Sequence, residues 1–194
     1  MSISQKAKDY FEQGFNWAES ISLSFREYLG YEDPLIPQLA TGLGAGIGRK
    51  GSLCGNFTGS VLVIGMKLGR NAPQDLPSRE KTYKACYEFW NRFEKEFGSC
   101  YCYDLIQCHL DNEEERQKWL ASGGMQSCTE FVEKTAHLLF DFLKEVKWTY
   151  WFFAAIRIYS RKEIRARGVY ETSLDMAYDF YKEILPWPLI FVIL

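Results

Sequence analysis

The sequence lacks an excess of charge of either sign, and it lacks a long apolar run. It has 23 lysines and arginines against 25 aspartates and glutamates, which gives a net charge of -2. Because no basic field is available to attract phosphates, a nucleic-acid partner is not expected. No apolar stretch approaches the ~20 residues that a membrane-spanning helix needs, and the C-terminal LPWPLIFVIL is too short, so no transmembrane segment is expected.

The N-terminal segment MSISQKAKDYF is polar and lacks the apolar core of a secretory leader. We therefore expect a cytoplasmic location, where thiols stay reduced. In such a compartment the six cysteines are not expected to form structural disulfides. Metal binding or redox chemistry is the functional interpretation of these cysteines, and inert thiols packed in the core are the alternative.

The spacing of apolar residues predicts an all-α fold. The expected architecture is a single compact bundle of about five to seven helices, with a glycine-rich loop before a buried central helix. Residues 1–145 are predicted to form a cysteine-bearing helical domain, and residues 146–194 a C-terminal helical extension. Helices are predicted over residues 6–29, 52–69, 79–97, 100–109, 112–120 and 128–146, and around 154–165 and 173–184.

Glycines mark two features near the middle of the chain. Five of them lie between Gly42 and Gly51, which predicts a loop with a close backbone approach. Residues 46–51 match G-x-G-x-x-G, but no strand precedes them, so a dinucleotide site is not expected. Gly55 and Gly59 follow four residues apart, and on a helix they would form one smooth groove against which a neighbour can pack closely.

Three cysteines each follow a serine that is a natural N-cap. They would then lie in the first turns of three helices, where unpaired N–H groups and the helix dipole favour thiolate over thiol. Thiolates attack disulfides, bind metals and hold iron–sulfur clusters. The three pairs are Ser52 with Cys54, Ser99 with Cys102, and Ser127 with Cys128.

The remaining cysteines have less specific surroundings. Cys100 and Cys108 form a local group with Cys102 and His109, and these are ligand types that zinc accepts. Their spacing is not that of a C-x-x-C pair, so the signal for a self-contained zinc site is weak. Cys86 lies in the middle of a helix on an apolar stripe, which favours core packing.

Three segments resemble the signature of the C-GCAxxG-C-C family of redox-active proteins. The first is residues 54–59, with Asn56 where alanine is usual. The second is residues 97–106, which contain Cys102, and the third is Ser127 with Cys128 at the head of the last long helix. The resemblance runs from the first helix to about Glu145.

The resemblance implies that Cys54, Cys102 and Cys128 are the redox-active and metal-ligating residues. It places Gly55, Gly59, Cys100 and Cys108 around a bound cofactor. A related cysteine-rich module in split-Soret cytochromes suggests an iron–sulfur cluster rather than zinc. The position of the family's first signature cysteine is occupied by Trp17. Either Cys100 or Cys108 supplies the missing ligand, or a four-thiolate site has been lost.

The expected function is therefore redox chemistry by clustered thiolates. They would bind an iron–sulfur cluster, or cycle between dithiol and disulfide for electron transfer with a redox partner protein. A homo-oligomer is left open. The alternatives are a non-catalytic helical binding or scaffold module with inert core cysteines, and a zinc-stabilised structural domain.

Three spatial and chemical expectations follow. Cys54, Cys102 and Cys128 should converge on one spot. The side chain of Trp17 should fill the volume near Cys54 and Cys128. Cys54 or Cys128 should react with alkylating reagents faster than Cys86, which is expected to be buried and protonated.

Overall fold

The computed structural model describes the backbone of residues 1–167 and the side chains of residues 1–146. Over this part of the chain the predicted all-α class is confirmed. The helices are α1 (Ile3–Glu12), α2 (Trp17–Tyr28), α3 (Leu35–Thr41), α4 (Gly44–Gly48), α5 (Gly55–Leu68), α6 (Leu76–Phe97), α7 (Cys102–Ile106), α8 (Glu113–Ala121) and α9 (Gly124–Arg167).

One compact unit covers Met1–Lys147, and a second unit begins at Trp148. The functional division into residues 1–145 and 146–194 stays a prediction. The helix predicted around residues 173–184 lies outside the described residues. Among the helices that are described, none has both the length and the apolar character needed to cross a membrane.

The long helix predicted over residues 6–29 is two helices. Gly14 has a φ of 101° between them, and Asn16 starts α2. The Asn16 side chain accepts hydrogen bonds from the Ala18 and Glu19 amides, while the Glu19 carboxylate accepts one from the Asn16 amide. This capping box makes Trp17 the first residue of α2. The apolar periodicity continues across the break, so it did not reveal the cap.

Helix α5 is the predicted buried central helix, and α2 packs directly on its glycine face. A Cβ atom at Gly59 would lie 2.8 Å from the Ala18 carbonyl oxygen, and one at Gly55 would lie 2.9 Å from the Trp17 Cβ. The expected close packing against the glycine groove is therefore confirmed. Its occupant is α2, which brings Trp17 next to the start of α5.

Helices α6 and α9 supply the aromatic part of the core. The buried face of α6 passes through Ala85, Phe89 and Phe93, and the Phe57 ring of α5 packs 5.5 Å from the Phe93 ring. Cys86 lies beside this face and packs against the core as predicted, but it is only half-buried. On α9 the buried positions are Cys128, Val132, Thr135, Ala136, Leu139, Phe142 and Leu143.

Candidate functional site

The glycine-rich loop forms a left-handed turn against one of the cysteines. Residues 45–49 all have positive φ, including the non-glycine residues Ala45, Ile47 and Arg49. A Cβ atom at Gly46 would lie 2.8 Å from the Cys102 Cβ and 2.8 Å from the Gly51 Cα. The close backbone approach predicted for this loop is therefore made to Cys102.

A short antiparallel bridge between residues 51–54 and 100–103 holds two of the cysteines side by side. The Cys54 amide donates to the Cys100 carbonyl oxygen at 2.8 Å, and the Cys102 amide donates to the Ser52 carbonyl oxygen at 2.7 Å. The first segment ends just before α5, and the second runs into the first residues of α7. In this register Cys54 lies opposite Cys100, and Cys102 lies two residues further along the second segment, opposite Ser52.

The predicted serine caps are wrong. Cys54 itself is the N-cap of α5, and Tyr101 is the N-cap of α7, so Cys102 is the first residue of that helix. Helix α9 begins at Gly124, which places Cys128 in its second turn and Ser127 inside the helix. The capping-box letters at residues 127–130 therefore lie within a continuing helix, where they cap nothing.

Cys54, Cys102 and Cys128 nevertheless surround one small cavity. Its free volume is about 10 Å³, the room of about one water molecule. Trp17 and Asn56 also line it. Each of the three cysteines is at most 7% exposed. The structure therefore brings the three predicted cysteines together, although they lie at the starts of α5 and α7 and in the second turn of α9.

Burial dominates the acidity of these thiols. It raises the pKa of Cys102 and of Cys128 to about 12, and it also raises the pKa of Cys54. The expectation that helix starts lower these pKa values is therefore wrong for the folded protein. The backbone N–H groups of Asn56 and Phe57 do donate to the Cys54 sulfur and oppose the effect of burial, but they do not overcome it.

Cys54 is the thiol at the centre of the group. A negative charge on its sulfur raises the pKa of Cys100, Cys102 and Cys128 in turn, which shows that all three sulfurs lie near it. Two backbone amides donate to the Cys54 sulfur, so these hydrogen bonds favour its thiolate and lower its pKa against the larger, opposite effect of burial.

Trp17 lies where the family resemblance predicts. Its indole ring lines the cavity and packs 5.5 Å from the Phe11 ring, and its side chain hydrogen-bonds to Cys128. That hydrogen bond favours the thiolate and offsets part of the effect of burial on the Cys128 pKa. The indole thus fills the volume beside Cys128, which is where the resemblance would place a fourth thiol.

Neither Cys100 nor Cys108 lines the cavity. The Cys100 sulfur donates to the Trp90 carbonyl oxygen at 3.7 Å, and Cys108 packs with Leu110 on another side of Cys102. Gly55 lines the cavity, whereas Gly59 is covered by α2. The cofactor-binding role assigned to these four residues stays a prediction.

The donor set does not fit a metal ion or cluster as it is arranged. Within the described residues, no three or more histidine, cysteine, aspartate or glutamate side chains are placed to hold a metal ion. The cavity between the thiols has room for about one water molecule, far less than an iron–sulfur cluster occupies.

Asn56 is a site residue that the sequence analysis did not assign. It is completely buried on α5 and lines the cavity with the three thiols. A polar side chain in a helix that is apolar on every side was the available signal.

We expect native alkylation to begin at Cys86, which reverses the order predicted from sequence. Cys86 is half-buried, whereas the five other cysteines are buried. A mass-spectrometric time course with iodoacetamide should show one fast site, Cys86, and five slow sites. Faster modification of Cys54 or Cys128 would show that burial does not control their reactivity.

Stability should fall steeply at alkaline pH. The Cys102 and Cys128 pKa values of about 12 exceed the value of about 8.5 for an unfolded cysteine, so the folded state keeps two protons that the unfolded state loses. Between about pH 8.5 and the folded pKa of about 12, each thiol should lower the free energy of unfolding by about 1.4 kcal/mol per pH unit. Urea titrations of Cys102→Ser should give a shallower slope than the unmodified protein, and equal slopes would contradict the raised pKa.

A family model described as "Putative redox-active protein (C_GCAxxG_C_C)" matches residues 15–142, about two thirds of the chain. No curated protein and no solved structure matches the chain.

The central motif can be placed on the chain in two registers. With Asn56 at the alanine and Gly59 at the last glycine, the cysteine position falls on Gly55, one residue after Cys54. With Cys54 at the cysteine, the last glycine position falls on Thr58. In either register, Cys54 is the cysteine of this motif, and it lines the cavity.

Proposed function

Because the chain belongs to the C_GCAxxG_C_C family of redox-active proteins, we propose that Cys54 and Cys102 cycle between two thiols and a disulfide. The convergence of these two cysteines with Cys128 on one cavity carries the proposal. The protein would exchange the two electrons of this cycle with a redox partner protein in the cytoplasm.

The choice of Cys102 as the partner of Cys54 is supported by the backbone. The two residues lie on segments that are hydrogen-bonded to each other, so their separation is set by the bridge between residues 51–54 and 100–103. After burial, the charge of Cys54 is the largest influence on the Cys102 pKa. Disulfide formation requires Cα atoms within about 7 Å. Cys100 lies opposite Cys54 on the paired segments, but its sulfur donates to the Trp90 carbonyl oxygen and does not line the cavity, which leaves Cys102 as the cavity thiol on that segment.

The roles of the two thiols follow from their surroundings. Cys54 receives hydrogen bonds from two backbone amides, so it is the thiolate that attacks. When the Cys54–Cys102 bond forms, the two sulfurs give up two electrons and two protons to an oxidant. Cys128 is the third thiol at the cavity, and the Trp17 indole holds it in place.

The proposal is tested at equilibrium. The reduced protein is incubated in a series of dithiothreitol redox buffers, quenched with acid, alkylated and mapped by mass spectrometry. We expect a single two-electron transition that yields a Cys54–Cys102 disulfide. Cys54→Ser and Cys102→Ser should each abolish it, and Cys86→Ser, which removes a thiol away from the cavity, should leave it unchanged.

Other results would contradict the proposal in distinct ways. Reduced thiols at every potential would favour a helical scaffold with inert cysteines. Formation of a Cys54–Cys128 bond would overturn the assignment of Cys102. Stoichiometric iron or zinc in anaerobically purified protein, with loss of the fold on chelation, would favour a metal centre.

A further inference from the structure

A second, larger cleft lies next to the thiol cavity and opens to solvent. Its volume is about 600 Å³, which is within the range of clefts that bind ligands. Helix α6 contributes residues of its last turn, α7 contributes Asp104 and Leu105, and α9 contributes Phe131. Unlike the thiol cavity, this cleft has room for part of a peptide.

Two side chains line both the cleft and the thiol cavity. They are Leu105 and Phe131, and both are half-buried. Leu105 lies three residues after Cys102 on α7, and Phe131 lies three residues after Cys128 on α9. A molecule held in the cleft is therefore separated from the thiol cavity by these two side chains.

The lining of the cleft combines negative charge with aromatic surface. The exposed carboxylates of Glu94 and Asp104 line it, and among the described residues that line it none is a lysine, arginine or histidine. The Ser99 hydroxyl donates to the Asp104 carboxylate at 2.7 Å. The rings of Phe97 and Phe131 pack edge to face, with centroids 5.6 Å apart. Carboxylates attract a lysine or arginine head group, and aromatic rings pack against its alkyl stem.

We propose that this cleft docks a segment of the redox partner protein in which a disulfide is flanked by lysine or arginine. The inference rests on the proposed function and adds the chemistry of the partner. A disulfide flanked by acidic groups would face two carboxylates, so it is disfavoured. Displacement of Leu105 or Phe131 then lets the docked disulfide meet the Cys54 sulfur.

The exchange balances in atoms and electrons. The Cys54 thiolate attacks one sulfur of the partner disulfide, the partner S–S bond breaks, and the released partner thiolate takes up the proton that Cys54 lost. The Cys102 sulfur then attacks the Cys54 sulfur, the mixed disulfide breaks, and the second partner thiol leaves with the Cys102 proton. Two thiols of this chain and one partner disulfide give one disulfide of this chain and two partner thiols.

The test uses three symmetric peptide disulfides that differ in charge, made from acetylated, amidated Lys-Cys-Lys, Ser-Cys-Ser and Glu-Cys-Glu. The rate at which each oxidises the reduced protein is divided by its rate with mercaptoethanol, so that intrinsic reactivity cancels. We expect the corrected rate of the lysine peptide to exceed that of the glutamate peptide by about tenfold or more at low ionic strength. Added salt should reduce this ratio, because the carboxylates are exposed.

Substitutions separate the charge of the cleft from access to the thiols. Glu94→Gln and Asp104→Asn should each lower the lysine-to-glutamate ratio by about threefold, and Glu94→Lys should lower it further. The matched control is Glu12→Gln, which removes one exposed carboxylate on α1 that does not line the cleft and should leave the ratio unchanged. Leu105→Ala should raise the corrected rates of all three peptides without changing their ratio, since it thins the wall between the cleft and the thiols.

Failure of this inference differs from failure of the proposed function. Equal corrected rates for the lysine and glutamate peptides, or a preference that persists when Glu94→Gln and Asp104→Asn are combined, would overturn the cleft as the docking site while the disulfide still forms in dithiothreitol buffers. Unchanged rates in folded Leu105→Ala would overturn the route past that side chain. Absence of the disulfide at equilibrium would overturn the proposed function itself.

Discussion

Trp17→Cys is expected to lower the free energy of unfolding of the metal-free protein by about 3–5 kcal/mol and to raise the iron or zinc bound per chain. The stability is lost because the indole packs against Phe11 and fills the cavity wall beside Cys128. Metal content should rise because the substitution adds a fourth thiol beside Cys54, Cys102 and Cys128 and empties the volume of the indole, so the cavity gains both the donor and the room that it lacks for a metal. Elemental analysis of anaerobically purified protein and chemical denaturation after chelation measure the two effects.

Trp17→Ala is the matched control for this result. It removes the indole and its hydrogen bond to Cys128 but adds no thiol. We expect a similar loss of stability without a gain in metal. If Trp17→Cys binds no more metal than Trp17→Ala, the position is not that of a lost ligand, and the described thiols form no remnant of a four-thiolate site.

Gly59→Ala is expected to destabilise the protein by about 1–3 kcal/mol, although alanine is the better helix former. The added methyl group would lie 2.8 Å from the Ala18 carbonyl oxygen and 2.9 Å from the Ala18 Cα. Both contacts are with backbone atoms of α2, so neither can be relieved by a side-chain rotation. Urea denaturation measures the change.

Gly65→Ala lies on the same helix and provides the control. An added Cβ there meets no atom within 4 Å, so the usual helical preference for alanine should stabilise the protein by about 0.5–1 kcal/mol. The free energies of unfolding of the two variants should therefore differ by about 1.5–4 kcal/mol. Similar effects at both positions would mean that α2 does not pack closely on α5.

The regular elements could be predicted because their signals are local. The apolar spacing over α5, α6 and α9 indicated helices at these places, and Gly98 ends α6 as expected. The predicted first helix was wrong because Asn16 acts as an N-cap only once the chain has turned after Gly14. An apolar pattern that continues through such a break does not reveal where one helix ends and the next begins.

The candidate site was predicted in part. The signature resemblance selected Cys54, Cys102 and Cys128, and these three residues line one cavity. Their serine caps were wrong because α5 and α7 begin two residues later than predicted, with Cys54 itself at the first cap, and α9 begins about four residues earlier. Asn56 was missed because its significance depends on its burial beside the thiols, which sequence letters do not show.

The sequence by itself determined the helical class and the glycine face of α5, since each depends on residue type and spacing along one element. The tertiary structure alone decided the ionisation of the thiols of Cys54, Cys102 and Cys128. Their pKa values depend on how completely water is excluded, and that exclusion is made by α2, α5, α7 and α9 together. It also decided which thiols are neighbours, because the bridge between residues 51–54 and 100–103 joins segments that are far apart in the chain.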